Sequence, residues 1–340
     1  LSLIMGGMLT TSCISDFLDL DPLDSQTEAI YFKTLADFQY VANDLHTNVW
    51  AWNGNDTYGI NFDYGTDLIL NGADYISGTN SAPTSDKYWD KAYEWLRKVN
   101  ILISKGEKYS NQEEIAGPIG QAYFFRAYWH FYLLTRFGSI PVMDRFWDGN
   151  ATVGGLQIPP RDRSAVAQFI LDDLNTAKGL LHSRSQYKGL RVCKEAAIIM
   201  AMRVALYEGT WEKYHKGTDF AAAEDKSADL LGQVLTLGDE LFGMGLALNT
   251  KATDKNAVNI EDAYAHVFNS KDLSDMTEVV FWKKYSIADG VIHNLSSNLG
   301  AGYVDNSGPA GLSQSLVDNY LNADGSFIDP NNGIYKDFNL

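Results

Sequence analysis

The chain has 340 residues, 45% hydrophobic and 13% aromatic, with 8 Trp, 19 Tyr and 16 Phe. That suffices for one large domain or two smaller ones, with a sizeable core and aromatics left over for a surface. A net charge of −16 (sequence pI near 4.7) repels phosphate backbones and so argues against a nucleic-acid partner; otherwise it speaks to solubility.

Residues 1–12, LSLIMGGMLTTS, are apolar and then small. The run is too short to span a membrane and reads as part of a signal peptide, its basic start lying upstream of Leu1. Cys13 follows directly after Thr-Thr-Ser, the pattern of a bacterial lipoprotein signal in which the Cys is lipidated and becomes the mature N-terminus. The Leu usual at the third position before such a Cys is Thr10 here, with Leu9 one further back. Acyl chains on Cys13 would anchor the protein to a membrane without spanning it, and Cys193 would then have no disulfide partner. Residues 13–33 read as an acidic tether, with Asp16, Asp19, Asp21 and Asp24 around Phe17, Leu18 and Leu20.

Residues 34–250 read as a helical-repeat region. A first helix is predicted over 34–50, where Leu35, Phe38, Val41, Ala42, Leu45 and Val49 recur at steps of three or four. Residues 51–86 form a long insertion rich in Gly, Asn, Asp, Ser and Thr that also carries Trp52, Tyr58, Phe62, Tyr64 and Tyr75. Disordered segments are poor in aromatics, so a structured binding loop is expected. A second helix is predicted over 88–105, with Trp89, Tyr93, Leu96, Asn100 and Ile103 on one face; Asn100 then needs an internal hydrogen bond.

Residues 110–141 are the organising stretch. Ser110 and Glu113 have capping-box spacing, Gly138 and Pro141 mark a stop, and Gly117-Pro118 is expected to break or kink the first turns. Between them the helix is apolar on most sides, so other helices must surround it. Arg126 lies on it and requires a carboxylate or carbonyl partner if buried. Further helices are predicted over 162–181, 192–211 and 220–237. Helix following helix with short links points to repeated helical hairpins. Residues 251–340 read as an irregular, loop-rich region, with a short strand over 278–285, a Gly/Ser/Asn-rich stretch over 287–311 and a short helix over 312–320.

No catalytic motif stands out. The six His are scattered, no His-Glu-x-x-His is present, and two Cys cannot build a zinc cluster. There is no P-loop and no Gly-x-Ser-x-Gly elbow. Neither a cofactor nor a metal is expected, and the chain reads as a non-enzyme. Carboxylates are abundant enough that a glycosidase pair stays open as a minor alternative.

Four segments taken together resemble the SusD/RagB family of Bacteroidetes outer-membrane lipoproteins. They are Cys13 with Asp16-Phe17-Leu18-Asp19; Trp89, Tyr93 and Asn100; Gly120 to Ala127 around Arg126, running on to Pro141; and residues 161–181 with Asp172-Asp173-Leu174, followed by Arg191, Ala196-Ala197 and residues 203–207. Gln121 departs from the family, which usually has Glu there. The resemblance implies a mainly α fold of tetratricopeptide-like helix pairs with long loop-rich insertions and a few short strands. It implies a surface-exposed, lipid-anchored protein of the outer membrane that binds glycans or other nutrients and hands them to a TonB-dependent SusC-like transporter. It also implies that the chain continues beyond Leu340. Peptide or other nutrient uptake, or surface assembly, is the alternative within the family.

Sugars stack their C–H faces on exposed aromatic rings while carboxylates and amides take the hydroxyls. Two loop segments qualify: Trp50, Trp52, Tyr58, Tyr64 and Asp67 in the first, and Trp282, Tyr285, His293 and Tyr303 in the second. These nine are the candidate ligand residues, and Cys13 is the candidate lipidation site.

Overall fold

The computed structural model describes residues 31–49, 69–70, 78–79, 81, 84–147, 158–250, 261–292, 311–322 and 324–328. The helices are α1 (Leu35–Leu45), α2 (Lys87–Gly106), α3 (Ala116–Phe137), α4 (Arg163–Leu180), α5 (Arg184–Tyr187), α6 (Lys194–His215), α7 (Ser227–Phe242), α8 (Glu261–Asn269) and α9 (Gln314–Asp318), with a short 3-10 turn (His46–Asn48) after α1. α3 packs against α2 on one side and α4 on the other; α6 packs against α4 and α7, and α1 closes over α2 and α3. The fold is mainly helical and built of serially stacked helix pairs, as the periodicity predicts.

Local chemistry sets the starts. Thr34 and Asp37 form a reciprocal capping box at α1. The Asp86 carboxylate accepts from the N–H groups of Tyr88 (2.7 Å) and Trp89 (3.2 Å) at α2, and Asp162 caps α4 through Ser164 N–H (3.0 Å). The Ser110 capping box does not form: residues 110–115 are turns and α3 begins at Ala116. Pro118 explains the difference. A helix running on from 110 would need its missing N–H and would meet its ring at the Glu114 carbonyl, whereas within a first turn the lost N–H is an orphan anyway. α3 ends where expected: Gly138 takes φ +73° and gives its N–H to Leu134 O at 2.9 Å. α7 begins at Ser227 rather than 220, because the Lys226 N–H is held by the Glu212 carboxylate and Asp225 turns the chain onto Ser227.

The core follows α3. Phe124, Phe125, Trp129, Leu133 and Leu134 are buried, and Gly120 lies so close to Leu180 and Leu181 that an added Cβ would meet their side chains at 3.0 Å. Each large apolar side chain contributes roughly 1.5–3 kcal/mol when fully buried. Two arginines lock the stack. Arg126 grips Asp173 of α4 bidentately (2.7 and 2.7 Å) and also donates to Asn100 Oδ1 (3.0 Å) and Asp144 O (2.8 Å). Burial works against its charge, but the hydrogen bonds and charge of Asp173, together with Tyr123 and Asp144, more than offset it and raise the guanidinium pKa. Arg163 of α4 grips Glu208 of α6 in the same way (2.7 and 2.8 Å), with its guanidinium 3.8 Å over the Trp211 ring. Asn100 closes the first network by donating to Met143 O at 2.9 Å, the internal bond its buried position required.

Residues 278–285 join no ladder among the described residues: the Val279 N–H turns back onto Met276 O at 3.1 Å and the Trp282 N–H donates to Gly189 O at 2.9 Å. The expected strand is therefore an irregular segment held by turns, the 188–189 turn among them. Beyond it, Ser286 and Val291 close a small bridge. The two strands that do form, β1 (Ile69–Leu70) and β2 (Gly311–Leu312), pair antiparallel with Ile69 opposite Leu312. β1 belongs to the 51–86 insertion and β2 ends the 287–311 stretch, so this ladder joins the two segments that carry the candidate aromatics. Among the described residues, no helix is long and apolar enough to cross a membrane.

Candidate functional site

Buried polar side chains of the helical stack serve the packing at several points. His130 donates through Nδ1 to Arg126 O (2.8 Å) and accepts the Met143 N–H at Nε2 (3.0 Å), which fixes it as a neutral ring; burial pushes its pKa down to about 3. Cys193 is fully buried and burial pushes its thiol up to about 12, so it supplies no thiolate. Among the described residues no three His, Cys, Asp or Glu converge as metal ligands.

One loop junction is built with care. α5 ends in Lys188, whose φ of +51° is left-handed, and Gly189 at +79°. Gly189 is required: a Cβ there would lie 2.9 Å from Trp282 Cδ1 and 3.0 Å from Val280 O. The Trp282 indole N–H donates to Lys188 O at 2.9 Å, so the 280–285 segment is pinned against the 188–189 turn by two hydrogen bonds. Beneath it the buried Arg184 guanidinium donates to four carbonyls: Val279 (2.7 Å), Met276 (2.8 Å), Ser274 (3.1 Å) and Leu273 (3.2 Å). The backbone N–H of Arg184 is itself held by the buried Glu195 carboxylate at 2.8 Å. Arg184 thus moulds the 273–279 loop onto α5. Above this base opens a cavity of about 470 Å³ whose walls include Tyr187, Lys188, Arg191, Asp272, Trp282 and Lys284.

A second cavity of about 420 Å³ is walled by Phe124, Phe125 and Tyr128 of α3, Met200 and Arg203 of α6, and residues 278–281. It is largely an apolar gap in the helix packing. A third, of about 300 Å³, lies among α4, α6 and α7.

Of the candidate ligand residues, Trp282 and Tyr285 are among those described. Trp282 is 6% exposed and its indole N–H is used, so it is a wall of the larger cavity rather than the open stacking platform the sequence suggested. Tyr285 is half-buried, three residues further on, with the Lys283 ammonium 5.1 Å from its ring centre. Trp50, Trp52, Tyr58, Tyr64, Asp67, His293 and Tyr303, and Cys13, lie outside the described residues. The sequence reading passed over Tyr187, Lys188, Asp272 and Lys284. Their one signal is the Lys188-Gly189 pair between two helical stretches, which marks a tight left-handed turn.

The described residues form a stack of helix pairs with a loop-lined cavity beside α5. Comparison with known proteins makes the class specific. Residues 16–206 match the SusD-like family described as starch-binding and associating with the outer membrane, and the chain belongs to that family. SusD-like protein P2 of Formosa agariphila is 23% identical over 235 residues, covering 66% of this chain and 46% of the relative. Among solved structures, a SusD-like carbohydrate-binding protein of Bacteroides fragilis superposes with a TM-score of 0.66 at 15% identity, over 90% of this chain and 56% of its own. A SusD superfamily protein of Bacteroides vulgatus gives 0.55 at 17% identity, over 87% and 60%. At these identities the structures establish the fold, and the chain spans less than two thirds of each of these proteins.

Proposed function

We propose that the protein is a cell-surface glycan-binding lipoprotein that captures oligosaccharide or polysaccharide and delivers it to a TonB-dependent SusC-like transporter in the outer membrane, anchored through lipid on Cys13. The observation that carries this reading is the family match across residues 16–206, which takes in α1 to α4 and most of α6. Two features support it. The aromatic-rich insertion and the 287–311 stretch are joined by the β1–β2 ladder, and a polar cavity with aromatic walls opens beside them in sequence. Trp50, Trp52, Tyr58, Tyr64, Asp67, Tyr285, His293 and Tyr303 are proposed as ligand contacts, and Trp282 as the support of the second loop.

Native gel electrophoresis through gels cast with single polysaccharides tests the reading. The protein is expected to be retarded by its cognate glycan and to release no reducing sugar from it. Passage unretarded through a broad glycan panel, with binding to peptides instead, would move the protein to peptide uptake. Palmitate labelling abolished in Cys13→Ala tests the anchor.

A further inference from the structure

The 470 Å³ cavity has a charge at odds with the chain around it. Lys188, Arg191 and Lys284 line it against the single carboxylate of Asp272, in a protein whose net charge is −16. The cations are gathered by backbone architecture, since the left-handed Lys188-Gly189 turn presents one lysine and the pinned Trp282 segment presents the other. Arg191 lies 5.5 Å from the Tyr187 ring centre and donates to Asn43 of α1, so its position is fixed from two sides. Asp272 is 3.9 Å from the Lys284 ammonium. Its carboxyl is held below the usual range first by the Ser274 hydroxyl and N–H, and then by the charges of Lys284 and Lys188. Both lysines therefore act on one small volume.

We propose that this cavity is a subsite for an acidic sugar unit, one bearing a carboxylate or a sulfate ester, with Lys188, Arg191 and Lys284 meeting the anionic group and the Tyr187 ring taking the sugar face. The inference rests on the glycan-binding reading and names the chemical class of the glycan. A surface cluster of cations in a neutral or basic protein would carry little meaning. Here the long-range field opposes a polyanion, so an anionic glycan gains only where cations outnumber carboxylates locally, and this cavity is such a place. An aromatic wall beside the charge suits a sugar better than a bare inorganic anion, because it takes up the apolar C–H face of the ring.

The experiment is native gel retardation of the purified full chain in polygalacturonate (carboxylate only), κ-carrageenan (sulfate only) and xyloglucan (neutral), at low and raised salt. Retention by either acidic glycan that weakens as salt rises is expected, and which of the two retains it identifies the anionic group. Lys188→Gln with Lys284→Gln is expected to weaken retention by about tenfold or more, each lost charge-assisted contact counting for roughly one power of ten at most. Asp272→Asn keeps the acceptor for the Ser274 N–H and removes the opposing charge, so it is expected to tighten retention roughly threefold at low salt. A merely structural role would not produce that gain. Thermal midpoints and Trp emission matching the parent exclude misfolding in these exposed-residue variants. Retention by xyloglucan alone overturns the proposal and leaves the glycan reading standing, as does acidic-glycan retention that ignores both variants. No retention by any glycan, extended to a broad panel, removes the glycan reading and this subsite with it.

Discussion

Arginine is used in two ways in this molecule. In the helical stack, Arg126 and Arg163 are each closed onto a buried carboxylate by two short bonds, so charge is neutralised where it is buried and helix is tied to helix. At the loop junction, Arg184 is equally buried but is met by backbone carbonyls, so the loop is shaped while the positive charge remains unmatched by those contacts. The first arrangement specifies a fold. The second shapes a loop, with the Glu195 carboxylate held on the Arg184 N–H at 2.8 Å. Removing one partner from a buried ion pair strands the other charge, whereas weakening a loop clamp alters local geometry.

The largest expected effect belongs to the first kind. Arg126→Met leaves Asp173 buried without its partner and should cost about 3–5 kcal/mol, read as a lowered urea midpoint. Adding Asp173→Leu should recover much of that loss, because the stranded charge goes with it. Ligand affinity of the surviving folded protein should be unchanged. A stable Arg126→Met protein that no longer binds glycan would show that the helical stack, and not the loop junction, forms the site.

Acid comes next, and again it acts on the stack. His130 and His46 each bridge a helical carbonyl and a second segment's N–H, with folded pKa values pushed down by burial to about 3 and about 4. A depressed pKa means that the stabilisation is present above the unfolded value of about 6.5 and is lost as pH falls towards 4 and then 3. The loss should reach on the order of 3 kcal/mol per histidine. Urea midpoints measured from pH 7 to pH 4 check it: a flat profile would mean that these rings are accessible to protons while the stack is intact.

The same division explains what was legible in the sequence. Helix existence was readable because periodicity, caps and Gly138 act within a few residues. The need for an Arg126 partner was readable because a buried guanidinium cannot stand alone; that the partner is Asp173 was not, since it lies 47 positions away. Helix starts moved where a long-range group intervened, as Glu212 does at Lys226, or where Pro118 outweighed a local cap. The cavity was hardest to see. Its lining comes from residues 186–191 and 272–284; the first carries Tyr187 with Lys188 and Arg191, but nothing local brings Asp272 and Lys284 to it. Trp282 was named from the sequence as a candidate in the second loop, but its place against Gly189 is a contact that appears only in three dimensions.

Gly189→Ala sharpens the comparison at intermediate strength. The new methyl group meets Trp282 and the Val280 carbonyl, and the residue must hold a φ of +79°. The cost should be about 1–3 kcal/mol, with altered Trp emission and weakened glycan retention together. An unchanged emission spectrum with full retention would mean that the 280–285 segment does not depend on this turn.

Lys284→Gln should have the smallest effect on stability and a large one on function. The Lys284 and Asp272 side chains are 52% and 56% exposed and 3.9 Å apart, so water screens the pair and its loss should move the urea midpoint by no more than about 0.5 kcal/mol. If the cavity binds an anion, the same change removes one of three cations from a space with one carboxylate, and retention by an acidic glycan should fall severalfold at low salt. Equal and small effects on both measurements would place Lys284 with the solvated charges of the surface. A stability loss approaching that of Arg126→Met would show that the loop junction is locked by charge as the stack is, and the contrast between carboxylate-paired and carbonyl-paired arginines would no longer separate fold from site.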